Sequence, residues 1–477
     1  MIRDPASGEK PTVYTCADDK AARATVIALA KEIGFEGVDA GHLDASRNIE
    51  NLGLLVGQLA YGSGFGDRVS LRLSSAVSRS TGTPRKRFNC TETEKKSMND
   101  AITPFTLAVP QADLEDLNRR IDQTRWPDAE TVDNWTQGAP LAKVKALVNH
   151  WRHRYDWRRC EAMLNDWGQY KTSIDGLGIH FLHVRSKHDN ALPLIITHGW
   201  PGSVIEFMKI IGPLTDPTAH GGKAEDAFHV IVPSLPGHGF SDKATETGWG
   251  IPRIAGAWIT LMRRLGYTRW VAQGGDWGSV VTTAIGVMKP DDCAAIHVNM
   301  PLVFPEPDQL QDMDAFEQAA VASLAHWEEK GSGYFKQQST RPQTLGYGLA
   351  DSPVGQAAWI YEKMWAWTDN QGNPEDALTL DEMLDNIMLY WLPGTATSSA
   401  RLYWESFAMG VASVRLEIPV GVSVYPRETL RPSRRWVDRW MPNLIHYNIL
   451  ERGGHFAAWE QPALHAKEIR DCFAKVR

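Results

Sequence analysis

Between about His180 and Pro301, short apolar runs alternate with longer amphipathic ones. Leu192 to Ile196, Phe228 to Val232, Trp270 to Ala272 and Ala295 to Val298 have strand length and composition. Helical patterning follows the first three, near Val204–Ile211, near Ile254–Leu265, and from Val280 onward. Strands alternating with helices predict a parallel sheet wrapped by helices. The alternation resumes at Ile418 to Val424 and Leu444 to Leu450. The stretch between, about 302–404, is aromatic-rich and lacks strand character, which predicts an insertion at the strand ends, where such sheets hold ligands. From Pro104 to about His180 the pattern is helix-like and amphipathic, with many tryptophans. Residues 1–95 hold a short strand, Thr12 to Thr15, and a helical run, Lys20 to Ile33. They end in a Ser/Thr/Arg/Lys-rich stretch, Ser75 to Met98, that reads as a linker.

One junction carries chemistry. Gly274-Gly275-Asp276-Trp277-Gly278-Ser279 joins the run Arg269–Ala272 to the helical run Val280–Ile285. A small-residue turn between strand and helix is the layout of a nucleophile elbow, which lifts one side chain above the sheet. Here that side chain is the carboxylate of Asp276. Attack on a saturated carbon by serine would leave an ether that water does not cleave. Attack by aspartate leaves an ester, whose carbonyl carbon water can attack while backbone donors hold the oxyanion. The alternative is an aspartate that only caps the following helix.

In proteins built around such an elbow, the acid comes next in the chain and the histidine last. His455, in Gly453-Gly454-His455-Phe456 after the last predicted strand, stands where the base belongs. Glu428, in Val422-Ser423-Val424-Tyr425-Pro426-Arg427-Glu428, follows the preceding strand and would hold the imidazole tautomer. Asp438, between Arg435 and Arg439, is the competing carboxylate and reads as a solvated helix face. His150 and His153 lie in a helical run and read as solvated or capping groups. His198-Gly199-Trp200-Pro201-Gly202-Ser203 ends another strand. The backbone N–H groups of Trp200 and Trp277 are the expected oxyanion donors.

HGWPGS, GGDWGS, the aromatic insertion and RGGHF together resemble the α/β-hydrolase epoxide hydrolases, of the microsomal and juvenile-hormone type. The resemblance runs from about Pro104, and Arg125-Trp126-Pro127-Asp128 is similar to part of that family's N-terminal domain. It implies an α/β-hydrolase core over 186–301 and 405–477, a helical lid over 302–404 and a helical N-terminal domain over 100–185. Asp276 then matches the nucleophile, Glu428 the acid and His455 the base. Two lid tyrosines would hydrogen-bond and protonate the epoxide oxygen. Tyr403, in Arg401-Leu402-Tyr403-Trp404-Glu405, matches one, and Tyr334, in Gly331-Ser332-Gly333-Tyr334, the other, with Tyr347, Tyr361 and Tyr390 as rivals. A phenol near pKa 10 stays protonated at neutral pH and can donate to the developing alkoxide. The resemblance implies a vicinal diol product and no metal or organic cofactor.

Trp327, Phe335, Trp359, Trp365, Trp367, Tyr390, Trp391 and Trp404 supply candidates for an apolar pocket wall, most of them expected as lid packing. A lipophilic epoxide is the expected substrate. The formal charge of −7 argues against nucleic acid or anionic membrane as partner. Five scattered cysteines with no paired spacing fit a reducing compartment and no zinc site. With a polar start and no membrane-length apolar run, a soluble cytoplasmic enzyme is expected, its oligomeric state open, a homodimer included. Residues 1–95 are expected to form a small α/β extension. Val38-Asp39-Ala40-Gly41 and Leu59-Ala60-Tyr61-Gly62 resemble the end of the dinucleotide domain of deazaflavin-dependent NADP reductases, without the preceding phosphate turn. Gly62-Ser63-Gly64-Phe65-Gly66 has the wrong spacing to replace that turn. The rival readings are a haloalkane dehalogenase, which shares the elbow aspartate but needs halide-gripping donors, and a non-catalytic ligand-binding relative.

Overall fold

The computed structural model describes residues 12–15, 19–32, 36–39, 100–407 and 412–477. The predicted linker over 75–98 and the glycine stretch 62–66 lie outside the described residues. Two compact units divide the chain, Met1–Asn89 and Cys90–Arg477. In the first, β1 (Thr12–Thr15), α1 (Lys20–Glu32) and β2 (Glu36–Asp39) form a βαβ unit, its strands parallel with Thr12 opposite Glu36.

The second unit starts with β3 (Thr103–Phe105) and the helices α2 (Gln111–Asp122), α3 (Leu141–His153) and α4 (Trp157–Asp166). Leu117 and Ile121 on α2, Val144, Leu147, Val148 and Trp151 on α3, and Cys160 and Leu164 on α4 recur at helical spacing. These stripes are buried in one shared core.

The helix-like pattern does not hold to His180, because helical structure ends at Asp166. Residues 169–184 are a β-hairpin, β4 (Gln169–Ile174) and β5 (Leu177–Val184), paired antiparallel with Ile174 opposite Leu177. Its two-residue turn is Asp175-Gly176, with φ of +52° and +82°. An Asp-Gly pair takes positive φ at both positions at low steric cost, and such a turn matches the twist of the strands it joins. That dipeptide was the available signal, and amphipathic patterning on either side of it masked it.

The core follows in strict alternation: β6 (Leu192–Thr197), α5 (Met208–Thr215), β7 (Phe228–Pro233), α6 (Ile251–Arg264), β8 (Trp270–Gly274), α7 (Asp276–Met288) and β9 (Cys293–Val298). Six helices then intervene: α8 (Ala315–His326), α9 (Gly333–Thr340), α10 (Pro342–Asp351), α11 (Pro353–Trp367), α12 (Leu380–Trp391) and α13 (Ala396–Phe407). The chain closes with β10 (Val420–Val424), α14 (Arg434–Trp440), β11 (Leu444–Ile449), α15 (Ala457–Glu460) and α16 (Pro462–Phe473).

Among the described residues these strands form one nine-stranded sheet, ordered β11-β10-β9-β8-β6-β7-β5-β4-β3. Strands β6 to β11 pair in parallel, whereas β3, β4 and β5 pair antiparallel, so the sheet is mixed. Period-two geometry divides each apolar run between two cores. Leu194, Ile196, Val230 and Val232 face one, while Ile195 and Ile231 face the other. Each fully buried chain of this size stabilises the fold by roughly 1.5–3 kcal/mol. A one-residue slip of register would therefore be strongly unfavourable.

Candidate active site

Strand β8 ends at Gly274 and α7 begins two residues later at Asp276, whose φ is +49°. A left-handed non-glycine residue stores about 1–3 kcal/mol of strain and persists only where its surroundings enforce it. Gly278 is part of that enforcement. A Cβ there would lie 1.9 Å from the Thr197 carbonyl oxygen, so only glycine lets α7 sit this close to β6. The helix is capped by Gly275, and the Asp276 carboxylate points away to other elements. Its Oδ1 accepts from the Trp200 backbone N–H at 2.7 Å, and its Oδ2 lies 3.3 Å from His455 Nε2. The helix-cap alternative is thereby excluded. Trp277 N–H follows in the first turn of α7, where helical N–H groups lack intrahelical partners.

The loop carrying Trp200 is held from both sides. His198, fully buried, faces the Gly199 carbonyl through Nδ1 at 2.9 Å and accepts from Leu235 N–H through Nε2 at 3.1 Å. Those partners require a neutral ring, and burial lowers its pKa to about 4. From the lid, Asn386 on α12 donates to the Pro201 carbonyl at 2.7 Å and accepts from Ser203 Oγ at 2.7 Å. Tyr390 donates to the Gly202 carbonyl at 2.7 Å. Gly199 leaves room for the Asp276 carboxylate, since a Cβ there would lie 2.0 Å from its Oδ1.

His455 follows β11 on a turn through Gly453, whose φ is +103°. Its Nδ1 meets Glu428 at 2.9 and 3.1 Å, so Nδ1 carries a proton and Nε2 faces Asp276. Glu428 is buried in the loop after β10 and also accepts from the Thr429 N–H at 2.6 Å. Burial alone would lower the His455 pKa, but the carboxylates of Glu428 and Asp276 outweigh it and hold the imidazole well above its ordinary value. Asp438 is elsewhere, paired with Arg434 at 2.8 Å on an exposed face of α14. His150 pairs with Asp381 at 2.6 Å.

Tyr334 on α9 and Tyr403 on α13 come together above the Trp200 ring, their centroids 6.0 Å apart and 5.2 and 5.9 Å from it. Both are buried, and the Tyr403 hydroxyl has no hydrogen-bond partner among the described residues. Burial first, then neighbouring acidic groups including Asp276, raises both phenols well above pKa 10. They remain proton donors across the neutral range. The rival tyrosines are otherwise engaged: Tyr361 donates to Glu375 at 2.6 Å, Tyr390 to Gly202, and Tyr347 is 73% exposed.

Of the aromatic wall candidates, Trp367 and Phe335 touch this cluster, at 5.2 Å from Tyr334 and 5.4 Å from Tyr403, and Trp327 backs Phe335 at 5.8 Å. Trp365 stacks on Trp135 at 4.8 Å, Trp391 lies beneath Arg120, and Trp404 is 47% exposed. Lys363 went unnoticed in the sequence. Its buried ammonium lies 4.6 Å from the Tyr334 ring centre and 5.6 Å from that of Trp367, beside Glu362. No local pattern flags a lysine on a helix face as buried.

The fold is that of an α/β-hydrolase, and the residue at its elbow is an aspartate. Residues 102–207 match the family described as epoxide hydrolase N terminus, and residues 193–344 the alpha/beta hydrolase fold. A chain of Stigmatella aurantiaca with a provisional epoxide hydrolase name is 62% identical, over 79% of this chain and 86% of that one. Epoxide hydrolase 1 of Sus scrofa is 37% identical, over 78% of this chain and 88% of its own. The juvenile hormone epoxide hydrolase of the silkworm Bombyx mori superposes with a TM-score of 0.74 at 30% identity, covering 81% of this chain and 97% of that one. The chain belongs to the epoxide hydrolase family, and it is a hydrolase acting on epoxides.

Proposed function

We propose that the chain opens lipophilic epoxides through a covalent ester on Asp276 and releases vicinal diols. The observation that carries this is the division of labour between the two oxygens of that carboxylate. Oδ1 is held by Trp200 N–H, while Oδ2 meets no backbone donor among the described residues. Oδ2 attacks the epoxide carbon, the C–O bond breaks toward oxygen, and Tyr403 or Tyr334 supplies the proton. Oδ1 becomes the ester carbonyl, already paired with the donor that will stabilise its oxyanion, with Trp277 N–H as the second donor. Esterification removes one of the two carboxylates that raise the His455 pKa. The imidazolium can then release its Nε2 proton to solvent and take one from water at Nε2, while Glu428 holds Nδ1. The hydroxide adds to the carbonyl carbon, the acyl C–O bond breaks, the departing alkoxide takes the remaining hydroxyl proton and leaves as the diol, and His455 passes its proton to the tyrosinate. The apolar rings of Trp200, Phe335 and Trp367 around the tyrosines support a lipophilic substrate over a charged one.

A single turnover of styrene oxide in heavy-oxygen water tests the route. The first diol should carry ordinary oxygen from Asp276, and immediate labelling would mean direct attack by water. A substrate panel in which hydrophilic epoxides outperform aryl ones would refute the lipophilic preference.

Among the described residues, no helix is long and apolar enough to cross a membrane. We infer a soluble, cytoplasmic enzyme, and recovery in the membrane pellet after detergent-free lysis would contradict it. We also infer that residues 1–95 are a dinucleotide-domain-like extension that binds no cofactor. The βαβ unit of β1, α1 and β2 supports the kinship, and Asp19 at the start of α1 is unfavourable for a phosphate there. Micromolar NADP(H) affinity by calorimetry would overturn this inference.

A further inference from the structure

The loop bearing His455 is held mainly by the lid. Where α11 ends, Trp367, Thr368 and Asp369 run alongside residues 453–456. The Trp367 carbonyl accepts from His455 N–H at 2.9 Å, and Asp369 Oδ2 accepts from Gly453 N–H at 2.9 Å. Glu460, on α15, spans the two segments, accepting from Asp369 N–H at 2.7 Å and from Phe456 N–H at 3.0 Å. The approach is close enough that a Cβ on Gly454 would lie 2.3 Å from the Trp367 carbonyl oxygen. Three backbone donors of the histidine loop are thus taken by the lid or by the carboxylate that grips it. Trp367 itself packs on His455 at 4.9 Å and on Tyr334 at 5.2 Å, so this lid segment touches both ends of the proposed site. Arg427, beside Glu428 in sequence, approaches Asp369 at 3.5 Å.

We propose that Asp369 and Glu460 are positioning residues that lock the His455 loop to the lid and so aim the base in the ester-hydrolysis step. The proposal rests on the covalent reading above. Neither carboxylate touches the Asp276 carboxylate, so ring opening does not depend on them. Ester hydrolysis needs Nε2, a water and the ester carbonyl aligned together, and a displacement of about 1 Å can cost on the order of 100-fold in rate.

The test separates the two chemical steps in the full-length chain with styrene oxide. Tryptophan fluorescence in stopped flow follows ring opening, and intact-protein mass spectrometry of quenched samples follows the ester. Asp369→Ala should leave the ring-opening rate unchanged, slow hydrolysis by about 10- to 100-fold, and accumulate ester, lowering kcat and KM together. Asp369→Asn keeps an acceptor for Gly453 N–H and should restore most of the loss. His455→Gln is the control for the underlying route and should trap the ester. If it traps ester while Asp369→Ala slows both steps alike or neither, the lock is refuted and the covalent route stands. If it traps none, the covalent route fails and the lock with it. Should Asp369→Ala not fold, Glu460→Gln, which loses one of two acceptors, decides by the same accumulation of ester.

Discussion

Asp276 and His455 are linked through charge as well as distance. Glu428 and Asp276 together raise the imidazole pKa against the effect of burial. Removing either charge should lower it. Asp276→Asn should therefore show a lower His455 pKa than the wild type in an NMR titration, and an unchanged value would mean that Asp276 does not face the ring. The tyrosines make a second expectation. Their phenols are raised well above pKa 10, so the protonated form persists as pH rises. Ring opening should show no alkaline loss up to about pH 9, and Tyr403→Phe should slow it by about 100-fold or more. At this scale the elbow aspartate and the glycine-flanked histidine were legible, because turn chemistry is local. Lys363, Asn386, Asp369 and Glu460 were not, because nothing in their own neighbourhoods records the loops they meet.

Elements carry the strain and the spacing. The elbow works because β6, β8 and α7 approach more closely than a side chain would allow. Gly278→Ala must push against the Thr197 backbone carbonyl, which cannot rotate away. It should destabilise the protein by about 1–3 kcal/mol in urea unfolding and lower kcat further than stability alone explains. Full activity with intact stability would mean that the elbow tolerates widening. The central strands were legible as apolar runs because both faces of β6, β7 and β8 are buried. The hairpin of β4 and β5 carries helix-like patterning up to about His180, since partial burial blurs alternation near a sheet edge and Asp175-Gly176 alone marks the turn.

The whole molecule adds a buried polar network behind the site. Glu468 on α16 accepts from Ser423 Oγ at 2.8 Å on β10 and from Asn448 at 2.9 Å on β11, and meets His446 Nε2 on β11 at 2.7 Å. Burial by itself would raise its pKa, but these bonds overcome it and pull the carboxyl from 4.5 to about 2. A lowered carboxylate pKa contributes stability that is complete above the unfolded value and fades as pH falls through the folded one. The stability gap between wild type and Glu468→Gln should therefore shrink between about pH 4.5 and about pH 2 in urea titrations. A constant gap would mean that the carboxylate charge contributes nothing. A chain beginning at residue 100 should keep kcat/KM with styrene oxide, since the epoxide hydrolase N terminus match begins at residue 102. A collapse in its turnover would assign the first unit a role in catalysis.

By itself the sequence determined the alternation of strands and helices, the elbow, and the Asp276, Glu428 and His455 positions that the fold brings together. Each of these is written in residues adjacent along the chain, where periodicity and turn geometry act. Only the tertiary structure decided which two tyrosines meet over Trp200, which oxygen of Asp276 is held, and that the lid braces both the Trp200 loop and the His455 loop. Those outcomes depend on contacts between residues more than sixty positions apart, which form when burial brings distant helices onto the sheet.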